Sequence, residues 1–160
     1  MIAIKNEKML SRYCKKGFTL VELMIAVLLV AILLMWAVPN FQEMTAKRRI
    51  DAASTELFKT FTSAKSRAFA EKRKINISCI DSSEGWEGGW TVVDADTNQV
   101  LDNYSPKKGV NIGHGSCSVE IDGIGYDAAF GSFDITSANT TYSRKIALAA
   151  DGTLKLTASP

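Results

Sequence analysis

The sequence predicts an α+β chain in which one long amino-terminal helix, first transmembrane and then amphipathic, packs on an antiparallel β-sheet head. Three observations predict it. Residues 18–38 are a run of 21 residues with a single charge, Glu22. After Pro39, apolar side chains recur at spacings of three and four. Beyond residue 75 the pattern changes to short runs of β-type residues separated by turn residues. A chain of 160 residues has room for one globular domain and a helix.

The first element follows from length. About 20 apolar residues are what an α-helix needs to cross a hydrocarbon core about 30 Å thick. Ahead of it stand Lys5, Lys8, Arg12, Lys15 and Lys16 against Glu7, a net charge of +4. The positive-inside tendency keeps this stretch in the cytoplasm and sends the remainder outward. A secretory signal peptide describes the run less well, because it is long for an h-region and no small-x-small site stands around residues 36–40. A plain anchor fits hydropathy alone. Glu22 argues against it: an acid costs about 2.5–3.5 kcal/mol at the centre of a spanning helix and less near its edge, and an anchor gains nothing from one.

In the second part of the helix, Ile50, Ala53, Leu57, Phe61, Ala64 and Ala68 make one apolar stripe. Lys47, Arg48, Glu56, Lys65, Arg67, Lys72 and Arg73 occupy other faces, and Lys72-Arg73-Lys74 falls at the helix end, where cations suit the dipole. Strand candidates follow at 75–80, 89–94, 99–104, 110–112, 118–121, 131–135, 145–149 and 153–157. An Asp-Ala-Asp-Thr-Asn turn separates the second and third, and Asp151-Gly152 joins the last two.

Lys15-Lys16-Gly17-Phe18-Thr19-Leu20-Val21-Glu22 resembles the prepilin peptidase site shared by type IV pilins and type II secretion pseudopilins. The resemblance implies a pilin-like fold, cleavage between Gly17 and Phe18, and N-methylation of Phe18. It also implies assembly roles for Glu22 and for Pro39, which matches the proline that ends or bends the first part of the pilin helix. The chain then divides into a cleaved leader (1–17), a transmembrane and assembly helix (18–39), an amphipathic helix (40–74) and a β-rich head (75–160). The cut frees an ammonium on Phe18 that needs a counter-charge in lipid. Glu22 supplies one, in the same subunit or its neighbour, and the pair offsets part of each charge's desolvation. With Cys14 leaving in the leader, Cys79 and Cys117 remain as an even pair in an exported head, where disulfides persist; two separately buried thiols are the other reading.

The head resembles the FimT/FimU/GspH group of minor pilins and pseudopilins in the strand ending at Cys79, the Gly-Trp-Thr-Val-Val-Asp hairpin and the closing strand–Asp-Gly–strand. The leading expectation is therefore a minor type IV pilin, a structural subunit of the tip or initiation complex. Its partners are other minor and major pilins through the amino-terminal helix, prepilin peptidase, the bacterial inner membrane and a tip adhesin. The head lies in the periplasm before assembly into a pilus or pseudopilus. A GspH-like pseudopilin of type II secretion shares fold and processing. A FimT-like DNA-binding role is weaker. FimT-like members use a Gly-Arg-x-Arg stretch, and the matching Gly152-Thr153-Leu154-Lys155 lacks both arginines, leaving Arg144, Lys145 and Lys155 as the residues able to gather. From residue 75 onward there are 5 Lys or Arg against 11 Asp or Glu, which opposes attraction to phosphate backbones.

Other constellations point to turns and core. Asp94, Asp96, Asn98 and Asp102 alternate as calcium ligands do, but lack the glycine and final Glu of such a loop. His114 is the only histidine, without the partners a zinc site needs. Trp86 and Trp90, with Gly85, Gly88 and Gly89, read either as an aromatic contact surface or, more simply, as one buried ring and one exposed turn residue. No nucleophile motif connects the Ser, His and Asp residues, so neither an enzyme nor a cofactor is expected.

Overall fold

The computed structural model describes residues 17–105, 108–127, 130–149 and 152–159. The expected leader therefore lies outside the described residues except for Gly17, as do Cys14 and Asp151. One helix, α1 (Leu20–Glu71), precedes eight strands: β1 (Ile75–Asp81), β2 (Gly85–Asp94), β3 (Val100–Tyr104), β4 (Asn111–Gly113), β5 (Ser118–Ile121), β6 (Ser132–Ser137), β7 (Thr140–Leu148) and β8 (Leu154–Ser159). The chain forms two compact units, Met1–Val38 and Pro39–Pro160.

In the first unit every large apolar side chain named among the described residues, from Phe18 to Val38, is exposed. A helix apolar on all sides is stable only when something else covers it. It is long and apolar enough to cross a membrane.

In the second unit the helical stripe is buried as its spacing requires. Ile50, Ala53, Leu57, Phe61, Ala64 and Ala68 all lie in the core. Ser54 and Thr60 are buried on the same part of α1, and their hydroxyls donate to the carbonyls of Asp51 at 3.1 Å and Glu56 at 2.9 Å. Buried hydroxyls are tolerable when satisfied in this way.

The strands form two antiparallel four-stranded sheets, ordered β3-β2-β1-β5 and β4-β6-β7-β8. The sequence had pointed to one antiparallel sheet; pairing that far apart in the chain is not encoded in local pattern. Ile75 and Ile77 of β1 face Ile121 and Val119 of β5, and Ile146 of β7 faces Leu156 of β8. Both sheets place their apolar faces in the core cluster that contains Phe61. That ring lies against Trp86, Tyr126, Phe130 and Phe133, with centroids 5.0–6.3 Å away, distances at which edge-to-face packing adds to burial.

The helix ends in a left-handed residue, Lys72 (φ 53°), with the Arg73 N–H donating to the Ala68 carbonyl at 3.2 Å. This is the Schellman arrangement, in which glycine is the usual left-handed residue. Beside it, Asp94 closes the β2–β3 connection. Its carboxylate accepts N–H bonds from Asp96 and Thr97 at 2.9 Å and a guanidinium bond from Arg73 at 3.0 Å.

Candidate functional site

Two regions carry the residues singled out by the sequence: the start of α1 and the strand-built half of the head.

At the start of α1, Gly17, Phe18 and Thr19 are not helical. The Thr19 Oγ1 accepts the Glu22 N–H at 3.2 Å, and the Thr19 carbonyl accepts the first helical N–H, from Leu23, also at 3.2 Å. Thr19 is thus the N-cap, and Glu22 sits three residues on, in the first turn, where the helix dipole favours an anion. This cap is not among the sequence expectations, although Thr-x-x-Glu ahead of an apolar run is its signature. The Gly17–Phe18 peptide consequently stays outside the helix. Phe18 is 74% exposed, and a Cβ placed on Gly17 would meet nothing within 4 Å. The fold itself makes no demand for glycine there.

The helical span continues through Pro39 rather than ending at it. Proline has no N–H to donate to the carbonyl four residues earlier, and the boundary between the two compact units falls at this residue.

In the head, Cys79 and Cys117 form a disulfide, with Cα atoms 5.3 Å apart. The Cys79 N–H also donates to the Cys117 carbonyl at 2.9 Å. The neighbourhood is tightly made. Trp86 Nε1 donates to the Ser116 carbonyl at 2.7 Å, while the His114 ring stacks on Phe133 at 3.9 Å. Each His114 ring nitrogen lies 2.6 Å from a backbone carbonyl, that of Ser116 or of Phe130. This histidine is held as a packing residue, with its nitrogens turned to the backbone. Among the described residues no group of three His, Cys, Asp or Glu side chains is placed to hold a metal.

The tryptophan reading needs correction. Both Trp86 and Trp90 are buried, and Trp90 Nε1 reaches Thr60 Oγ1 at 3.3 Å. Each ring faces the core from β2, so neither presents an aromatic contact surface. The carboxylates of the calcium-like stretch are likewise engaged within the hairpin: Asp94 as described, and Asp102 with the Tyr104 hydroxyl at 3.2 Å.

The three basic residues of the final strands do not gather. Arg144 lies on the α1-facing side of β7, where its Nε donates to Asp51 at 2.8 Å and Tyr142 donates to the same oxygen at 2.7 Å. The hydrogen bond to Asp51 holds the Arg144 guanidinium above its usual range. Lys145 is exposed on the opposite face, 3.3 Å from Asp134. Lys155 shares that outer face, with its strand position opposite Ala147. Asp51 lies 93 residues from Arg144 in sequence, so nothing local announces the pair.

Comparison with known proteins adds a motif and a fold. The prokaryotic N-terminal methylation motif matches residues 12–38. A "Fimbrial protein" of Pseudomonas aeruginosa is 36% identical over 77 residues, 48% of this chain and 49% of that protein. The chain thus matches about half the length of this curated relative. Among solved structures, the type IV minor pilin FimU of Pseudomonas aeruginosa superposes with a TM-score of 0.57, at 16% identity over 71% of this chain and 92% of that one. The minor pseudopilin EpsH of the Vibrio cholerae type 2 secretion system gives 0.54, at 12% identity over 69% and 97%. At such identities these two likenesses speak for fold alone.

Proposed function

We propose that this chain, type IV pilin-like in its amino-terminal motif and in its fold, is the precursor of a minor structural subunit of a pilus. Prepilin peptidase cuts it between Gly17 and Phe18, Phe18 is N-methylated, and residues 18–39 hold the subunit in the inner membrane until it enters the filament. Residues 40–71 continue the helix, and residues 72–74 lead from it into the head of residues 75–160, which stands in the periplasm. The observation that carries this reading is the methylation motif over residues 12–38 on a segment whose Gly17–Phe18 bond lies outside the helix. Glycine at 17, unneeded by the fold, is explained by an enzyme that must approach the backbone closely.

Glu22 then works as the registry device. The new Phe18 ammonium and a carboxylate in the same or a neighbouring subunit offset each other's desolvation, whereas either alone is costly in a low-dielectric bundle. The apolar surface left bare along 18–38 becomes the contact with other minor and major pilins, and a tip adhesin is a further partner. The expected product is a mature chain beginning with N-methyl-Phe18, read by mass spectrometry of the envelope fraction. A mature chain that begins with Met1, or well past residue 39, would refute the proposal. Glu22→Ala should stay in the membrane and be cut normally, yet fall sharply in sheared filaments; incorporation equal to wild type would remove the pairing argument.

A pseudopilin of type II secretion has the same processing and fold. The similarity to a fimbrial protein favours the pilus, and recovery of the chain from sheared pili tests that choice. Capture of DNA is disfavoured because Arg144 is tied to Asp51, leaving Lys145 and Lys155 on a face that also carries Asp134. Salt-sensitive DNA retardation by the purified chain would reverse that ranking.

A further inference from the structure

The far end of α1 carries side chains that the core does not use. Phe69 is 73% exposed and Ile124 is 93% exposed; with Ala70, Lys72 and Gly123 they line an open groove of about 570 Å³. The groove is built from fixed parts. The Asp122 carboxylate accepts the N–H groups of Ile124 at 2.8 Å and Gly125 at 2.7 Å. A Cβ on Gly123 would lie 3.6 Å from the Ala68 carbonyl oxygen and the Phe69 Cα, so the turn bearing Ile124 sits directly on the helix end. Of the three adjacent cations, Arg73 is paired with Asp94 and Lys74 with Glu120. Lys72 has no such partner among the described residues, and it occupies a left-handed position (φ 53°) that glycine fills with less strain.

The opposite end of β1 offers the complementary chemistry. The strand starts at Ile75, just past the groove, and ends about 20 Å away by the rise of a strand, in a hairpin tip. There Ile80 is 51% exposed and is followed by exposed Asp81, Ser82, Ser83 and Glu84. The Ser83 hydroxyl and N–H donate to the Asp81 carboxylate at 2.6 and 2.8 Å, holding that carboxyl below its usual range and therefore charged. One apolar side chain beside two carboxylates is what the groove lacks.

We propose that the groove of Phe69, Lys72 and Ile124 receives the Ile80–Glu84 hairpin tip of a second copy of this chain. Ile80 enters between the two apolar side chains, and the Asp81 and Glu84 carboxylates face the Lys72 ammonium. Knob and groove lie at opposite ends of one strand, so the contact is heterologous. A patch this small binds weakly alone; neighbours held in one membrane or filament meet at high effective concentration. The inference rests on the subunit role proposed above and names a contact surface for it.

The full chain, with p-benzoylphenylalanine replacing Ile124, is reconstituted densely in phosphatidylcholine vesicles and irradiated, and the products are mapped by mass spectrometry. The expected product is a dimer joining position 124 to residues 80–84 of the second copy. Lys72→Gly, which suits the helix cap and should leave the unfolding midpoint unchanged or higher, lowers that yield about fivefold, as does Glu84→Lys. Absence of a dimer, a cross-link elsewhere, or full yield in both variants overturns the proposal. Cleavage is read on the same proteins after prepilin peptidase is added to a parallel set of vesicles. Chains cut at Gly17–Phe18 without the cross-link sink the contact alone, while chains left uncut sink the subunit role.

Discussion

Removing the disulfide is the perturbation whose size can be worked from the structure. Cys79 and Cys117 are 38 residues apart in sequence. In the chain-entropy model, closing a loop of that size removes about 13 cal/mol/K from the unfolded ensemble, or about 3.9 kcal/mol at room temperature. A single domain is stable by only about 5–15 kcal/mol, so the bridge is a large part of the head's stability. The paired substitution Cys79→Ala with Cys117→Ala should be followed by urea titration of the detergent-solubilised chain. Trp86 and Trp90, both buried in the head, report its unfolding by fluorescence. With a urea dependence of about 1.5 kcal/mol per molar, the midpoint should fall by about 2.5 M. Adding a reductant to the wild-type chain should reproduce most of that fall. A midpoint lowered by less than about 0.5 M, in a variant that folds and keeps the same slope, would show that restriction of the unfolded chain is not what the bridge contributes.

Phe61→Ala empties the centre of the aromatic cluster and should lower head stability by about 3–5 kcal/mol in the same titration, with Phe61→Leu much milder; a loss under about 1 kcal/mol would mean that the cluster collapses around the gap. The Asp94 carboxyl is lowered from its ordinary 3.8 to about 2, first by the Thr97 N–H and then by Arg73. Because the folded value lies below the unfolded one, Asp94 adds stability that is complete above about pH 4 and is lost as pH falls through about 2. Asp94→Asn should therefore weaken the head at neutral pH and flatten its stability profile between those values; an unchanged acid limb would refute that role.

Much of the fold could be read locally because its signals are periodic. The apolar span of 18–38, the stripe from Ile50 to Ala68 and the eight short strands each depend on spacing, and the structure contains all of them. The Thr19 cap is equally local, written in its Thr-x-x-Glu spacing. The two tryptophans depart from their sequence pattern for a different reason. Gly85, Gly88 and Gly89 around the two rings resemble a turn in sequence, whereas β2 extends back to Gly85 and carries both rings inward.

By itself the sequence determined the processing motif, the membrane-length helix and the alternation of the head, since each is written in neighbouring residues through helix rise, strand period and charge. Only the tertiary structure decided which distant groups meet. It divided the strands between two sheets, tied Arg144 to Asp51, and brought Phe69, Lys72 and Ile124 to one groove. The physical reason is that long-range pairing is selected by the packing of the whole core, and no local spacing carries that information.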